Sequence, residues 1–258
     1  MHKAPLFLVT AGTIFFGAVS ATADALALAT NKVAGTIALE TDTSGNALMN
    51  SAYLRIGAGV NLTMDADVND VSGLLNPFQA FSATDTKIAF ETGFVFDIGI
   101  GFLVTEALSI EIMTGVATNS VEKISGTYTE SDIFGPYFRE SFSGGDGDLY
   151  QVPIVANVRY EFDLSENTNL GLYAGGGLQY ADLKVNDTFL GSASNDVWSF
   201  RYQAGFDLTW DIAPTATLGL NFRYSSTTEN DFGTYQGVDI KIDRFQNIAI
   251  GATFTVSF

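Results

Sequence analysis

The side chains that do most enzymatic chemistry are nearly missing from this chain. Cysteine is absent, and the one histidine is His2. Met1-His2-Lys3 leads into an apolar run over 5–19 and then Ser20-Ala21-Thr22-Ala23, a small-residue A-x-A site. These are the three regions of a secretory signal peptide, with cleavage expected after Ala23. Cleavage removes the histidine. Serine–histidine triads, cysteine nucleophiles and histidine-bound zinc then have no residues to use.

Carboxylates are what remain. Asp+Glu number 29 against Lys+Arg 12, a formal net charge of -17. A pair of carboxylates can hydrolyse a glycoside, and Asp207 and Asp211 share one face of a strand. Alternation alone produces that spacing, however, and nothing in the sequence supplies a sugar-binding cleft. Asp65-Ala66-Asp67-Val68-Asn69-Asp70 begins like a calcium loop, but Asp70 stands where the loop needs Gly and Asn76 where it needs Glu. The expectation is a non-enzyme with no cofactor and no metal site. So acidic a chain also suits no phosphate backbone, which excludes nucleic acid as a partner.

The informative charges sit at regular places inside apolar stretches: Arg55, Glu91, Asp97, Glu111, Arg159, Arg201, Asp207 and Arg223. Each lies on the polar side of a segment that alternates with period two, the pattern of a half-buried strand. In 52–62, Leu54, Ile56, Ala58, Val60 and Leu62 oppose Tyr53, Arg55, Gly57, Gly59 and Asn61. In 87–102, Ile88, Phe90, Phe94, Phe96, Ile98, Ile100 and Phe102 oppose Lys87, Glu91, Gly93, Asp97 and Gly99. Further strands are expected from 108, over 149–162, 170–180, 198–212 and 218–224, and over 248–258. Pro153 falls on the polar side of its strand, an unusual but tolerable place.

The spacing of these eight strands alternates. Links at 105–107, 163–169 and 213–216 are short; those at about 65–86, 120–148, 183–196 and 226–244 are long. Short turns at one end and long loops at the other is the layout of a bacterial outer-membrane barrel. Charged residues make up only 16% of the chain, well below the rough quarter of a soluble domain. Apart from the leader, no apolar run reaches helix-spanning length, so a membrane protein of this sequence must cross as a closed barrel. Aromatic residues collect toward strand ends (Tyr160, Phe162, Tyr180, Trp198, Phe200, Trp210, Tyr224, Phe258), as girdles at two membrane interfaces do.

The segments LYQVPIVANVRYEF, LGLYAGGGLQYA and the closing NIAIGATFTVSF resemble the eight-stranded outer-membrane barrels, namely the OmpA transmembrane domain and its porin-family relatives. The resemblance covers about 50–258. It implies an all-β fold, a closed up-and-down antiparallel transmembrane barrel of eight strands in the outer membrane of a diderm bacterium. It further implies lipid and lipopolysaccharide as surroundings. Phe254, Val256 and Phe258 would be the signal read by the outer-membrane assembly machinery. Unlike full-length OmpA, the chain ends at Phe258 with no peptidoglycan-binding domain, so no anchoring role is implied. The expected organisation is a signal peptide at 1–23, a periplasmic arm at 24–50 and the barrel at 51–258.

Two functions fit. In the first, the mid-strand charges pair and plug the lumen, since an eight-stranded barrel is just wide enough for its side chains. The protein is then a structural or surface-interaction barrel whose long loops meet an extracellular ligand or receptor. In the second, the same charges line a narrow porin for ions or small solutes, cation-preferring because its mouth is acidic. The loops also carry Phe78, Phe81, Phe134, Tyr137, Phe138 and Phe142, which either form a sticky exposed surface or cap the mouth.

Overall fold

The computed structural model describes residues 52–76, 79–132, 134–187, 191–235 and 238–258, and all the regular structure among them is β. The leader and the 24–50 arm lie outside the described residues. Eight strands form a ring: β1 (Ala52–Thr63), β4 (Gly93–Leu103), β5 (Leu108–Asp132), β7 (Asp146–Ser165), β8 (Thr168–Asp187), β9 (Gly191–Ala213), β10 (Ala216–Thr227) and β13 (Gln246–Ser257). Each pairs antiparallel with its neighbours, β1 with β13 and β5 with β7, so no edge is left in this part of the wall. Where the first strand of the ring meets the last, Phe258 and Ala52 exchange two backbone hydrogen bonds, at 2.9 and 3.2 Å.

Residue type explains which face points where. Around the ring Val60, Phe94, Ile100, Phe102, Ile112, Ile154, Val158, Leu172, Leu178, Leu220 and Ile250 are exposed, while Arg55, Glu111, Gln151, Asn157, Arg159, Gln179, Arg201, Asp207 and Arg223 are buried. Apolar outside and polar inside is the reverse of a water-soluble barrel, and only a lipid surround makes it favourable. Outward aromatics bracket the belt. Tyr150 and Phe162 on β7, and Trp198 and Trp210 on β9, are spaced about 40 Å apart along their strands. A tilt of about 40° brings that to about 30 Å, the thickness of the hydrocarbon layer.

Three of the four segments expected as long loops are strand for most of their length, and the fourth, 183–196, is taken up by the ends of β8 and β9. Beyond β1 the chain runs on as β2 (Ala66–Asn76) and returns as β3 (Gln79–Phe90) into β4. β5 continues past the ring and folds back as β6 (Gly135–Gly144). β10 leads into β11 (Asn230–Tyr235), which returns through β12 (Val238–Ile242) into β13. β2 pairs β3 and β12, and β3 and β6 both pair the far half of β5. The ring keeps eight strands, and its wall continues beyond the membrane as an added sheet.

The seam between the two parts is a set of irregularities at one height. In β1 the odd residues Arg55, Asn61 and Thr63 point inward; in β2 the even residues Ala66 and Val68 do. The same reversal separates Val95 from Phe90 and Ile88, Val121 from Ile124, Ser225 from Phe232, and Phe245 from Ile242. One extra residue shifts the alternation and turns every later side chain over. Hydrogen bonds carry the wall across the breaks, from Met64 N to Gln246 O at 2.8 Å and from Glu91 N to Ser120 O at 2.9 Å. Above the seam the interior is apolar, with Ile88, Phe90, Ile124, Phe142, Leu149, Ile242 and Phe245 in one cluster. There the outer face carries Asp67, Asn69, Lys87, Glu122 and Lys123, all exposed. Below the seam the wall is built for lipid; above it, for water.

Candidate functional site

Nearest the short turns, the inward side chains of β1, β5, β7 and β9 form one ionic network. Asp207 is its hub. Its carboxylate accepts from Arg55 at 2.7 Å, from Arg159, and from Asn221 Nδ2 at 2.6 Å. Arg55 also reaches Glu111 at 2.9 Å, and Glu111 accepts from Asn157 at 3.2 Å. Arg159 is shared with Glu161 at 2.8 Å. Two buried guanidiniums thus face two buried carboxylates, with Glu161 at the rim. Unpaired, any one of these charges would be very costly in such an interior; paired and hydrogen-bonded, they are tolerated.

Two tyrosines floor and wall this network. Tyr53 lies opposite Gly101 across the strand pair, and its ring covers the position where a Gly101 Cβ would stand, 2.0 Å from the ring carbon that bears the hydroxyl. Tyr173 covers Gly205 in the same way and donates its face to Arg55, whose guanidinium carbon is 5.5 Å from the ring centre. Asn221 Nδ2 donates to the Tyr173 hydroxyl at 2.8 Å. Only glycine opposite leaves room for such a ring to lie flat on the barrel wall.

Higher in the lumen Arg223 reaches Asp97 at 2.9 Å, and Arg201 donates to Gln179 at 2.6 Å. Next comes a layer of amides and hydroxyls. Asn61, Thr63, Asn119 and Asn247 bond to one another, with Thr63 Oγ1 donating to Asn247 at 2.6 Å and Asn61 Nδ2 to Asn119 at 2.7 Å. The buried apolar cluster lies above them.

Seven of the eight charges singled out in the sequence therefore share the lumen. Glu91 is the exception and corrects the expectation: it is exposed, because it sits in the break between β3 and β4 where alternation fails. Ile88 and Phe90 are corrected for the same reason. They face inward, opposite in sense to Phe94, not on the lipid side with it. Reading by sequence also missed Asn61, Asn119, Gln151, Asn157, Gln179 and Asn221, which the alternation placed inward but which carry no charge to mark them.

Asp65 is exposed, and Asp67 makes an outer-face pair with Lys87 at 3.4 Å. Asp211 is exposed while Asp207 is buried, so this pair of carboxylates does not share a site. Phe254 and Phe258 are exposed on the lipid side near the chain end. Of the loop aromatics, Phe142 packs into the apolar cluster, whereas Phe134 is 91% exposed and Phe138 42%. The rings of Tyr128 and Phe138 meet edge-on, 6.4 Å apart. Phe78 lies outside the described residues, as do the side chains of Phe81 and Tyr137.

Among known proteins, the chain is 25% identical over 219 residues to "Putative adhesin RC1281" of Rickettsia conorii (strain ATCC VR-613 / Malish 7), covering 78% of this chain and 80% of that one. Neisserial surface protein A is similar in structure, at 14% identity and a TM-score of 0.41, over 80% of this chain and 97% of that one. The outer membrane protease OmpT of Escherichia coli gives 12% and 0.46, over 81% and 97%. The attachment invasion locus protein Ail of Yersinia pestis, solved with the heparin analogue sucrose octasulfate, gives 12% and 0.38, over 80% and 97%. The family model of the outer membrane protein beta-barrel domain matches residues 11–255. The chain belongs to this family and is a β-barrel of the bacterial outer membrane.

Proposed function

We propose that this protein is a non-conducting, non-enzymatic surface barrel that holds an adhesive face outside the cell. The observation that carries the reading is the wall above the seam. A barrel needed only to cross the membrane could end in loops; here β2, β3, β5, β6, β11 and β12 continue as a sheet with its own apolar interior. In outer-membrane barrels the longer connections lie on the extracellular side, so this sheet stands outside the cell. At its far end the β5–β6 turn offers Phe134 and Phe138 to solvent. Exposed aromatics are costly unless something binds them, and they are frequent anchors of interfaces. The relative from Rickettsia conorii bears the name of an adhesin, which agrees with this role.

The lumen supports the other half of the reading. Ion pairs, amides and then apolar side chains succeed one another along it, which leaves solutes little room. The interior charges act as ballast for the fold, and the acidic surface faces the medium.

The test is adhesion. Cells displaying the protein are compared with cells displaying a variant whose residues 134–138 are replaced by a short Gly-Ser turn. Attachment to host cells or extracellular-matrix glycans is expected to fall severalfold at equal surface display. Equal attachment by the two would remove the aromatic tip from the function.

A further inference from the structure

Midway up the lumen, β7, β8 and β9 bring Gln151, Gln179, Ser199 and Arg201 together on the inward face. Gln179 stands directly opposite Ser199; Gln151 and Arg201 are each one diagonal step from Gln179. All four are buried. Arg201 donates to Gln179 Oε1 at 2.6 Å, and no carboxylate among the described residues pairs with it. The neighbouring guanidinium, Arg223, has the carboxylate of this tier, Asp97. Two cations therefore share one anion in this tier, while lower in the lumen Arg55 and Arg159 meet Glu111, Asp207 and, at the rim, Glu161.

The hydrogen-bonding inventory of the same four residues is also incomplete. Arg201 Nε, Gln179 Nε2, Gln151 Nε2 and Oε1, and Ser199 Oγ are buried with no partner among the described residues. Most of these atoms are donors. A buried donor set with surplus positive charge requires a negative partner, since hydration satisfies the donors but leaves the charge. A cation is excluded by sign. The interior of an eight-stranded barrel is filled by its own side chains, so a bulky anion is excluded by size.

We infer that the lumen binds one small inorganic anion of the halide class, chloride in ordinary medium, held by Arg201 with Gln151, Gln179 and Ser199. The tier lies between the Asp207 network and the apolar cluster, so the ion is expected to enter as the barrel folds and to leave slowly. This site is independent of the adhesive role and stands or falls separately from it.

The test uses the full chain, refolded from urea into detergent in sodium chloride, sodium bromide or sodium gluconate at one ionic strength. Thermal unfolding is followed by the gel mobility of the folded barrel. The midpoint is expected to be several degrees higher in either halide than in gluconate, and to saturate with halide concentration. Arg201→Gln is expected to abolish the difference and to unfold later than the wild type in gluconate, because the unmatched charge is gone. Crystals of the wild type refolded in bromide should show an anomalous peak beside Arg201, a readout that decides the matter even if Arg201→Gln does not fold. Equal midpoints in halide and gluconate, an undiminished halide effect in Arg201→Gln, or no bromide beside Arg201 would each overturn the site.

Discussion

Asp207 shows how much one buried side chain can organise. It accepts from two arginines and an asparagine drawn from three other strands, β1, β7 and β10. Replacing it by Asn leaves Arg55 with Glu111 and Arg159 with the rim carboxylate Glu161 as their remaining ion pairs. Asp207→Asn is expected to cost about 3–5 kcal/mol, the usual loss when one partner of a buried pair is removed, measured by urea unfolding in detergent. Gly101→Ala tests a different contact. An added Cβ would stand 2.0 Å from the Tyr53 ring, so the ring must leave the wall and its hydroxyl must give up its hydrogen bonds with Ser109, at 3.2 Å, and Glu111, at 3.4 Å. An expected loss of about 1–3 kcal/mol follows, as for other overpacked sites; an unchanged midpoint would show that Tyr53 is free to move. At this scale the sequence was half legible. Period-two alternation told which charges face inward, since the strands are regular there. Which arginine meets which carboxylate depends on the register between strands far apart in sequence, such as Arg55 with Asp207, and no local pattern encodes it.

At the scale of elements, the eight membrane strands were readable because each alternates without interruption over the thickness of the bilayer. The added sheet was not. Alternation breaks at 64–65, 91–92, 122–123, 228–229 and 243–244, and a reader following one phase loses the strand at each break. Past the break the pattern resumes with the opposite sense, apolar inward, but over short runs rich in Ser, Thr, Asn and Asp that look like loop. Glu91, Ile88 and Phe90 were misplaced for that reason alone. The interior of this sheet is anchored by Phe245, whose ring meets those of Phe90 and Phe232 edge-on at 6.2 and 6.3 Å. Phe245→Ala is expected to loosen the added sheet by about 3–5 kcal/mol, in line with other buried Phe truncations, while the membrane ring stays folded. Limited proteolysis reads this directly: new cuts should appear within 66–88, 122–145 or 228–243, and the ring strands should remain protected. Cuts spread through the ring would mean that the two parts fold as one unit.

For the whole molecule, one chain solves two solvation problems in sequence along a single wall. The lipid-facing half hides its charges inside and pairs them; the water-facing half hides its apolar side chains inside and shows its charges. The buried interior is ionic near the short turns and apolar near the hairpin tips, and the proposed closed lumen rests on that succession. Conduction is therefore the property to measure first: single-channel current of the purified protein in a planar lipid bilayer, with insertion verified by heat-dependent gel mobility of the same sample. The expected result is a folded, inserted barrel with no discrete current steps, silent also when Asp207 or Glu111 is neutralised, because the apolar cluster still closes the way. Reproducible openings of fixed size from the wild type would contradict a filled lumen and make the protein a narrow pore.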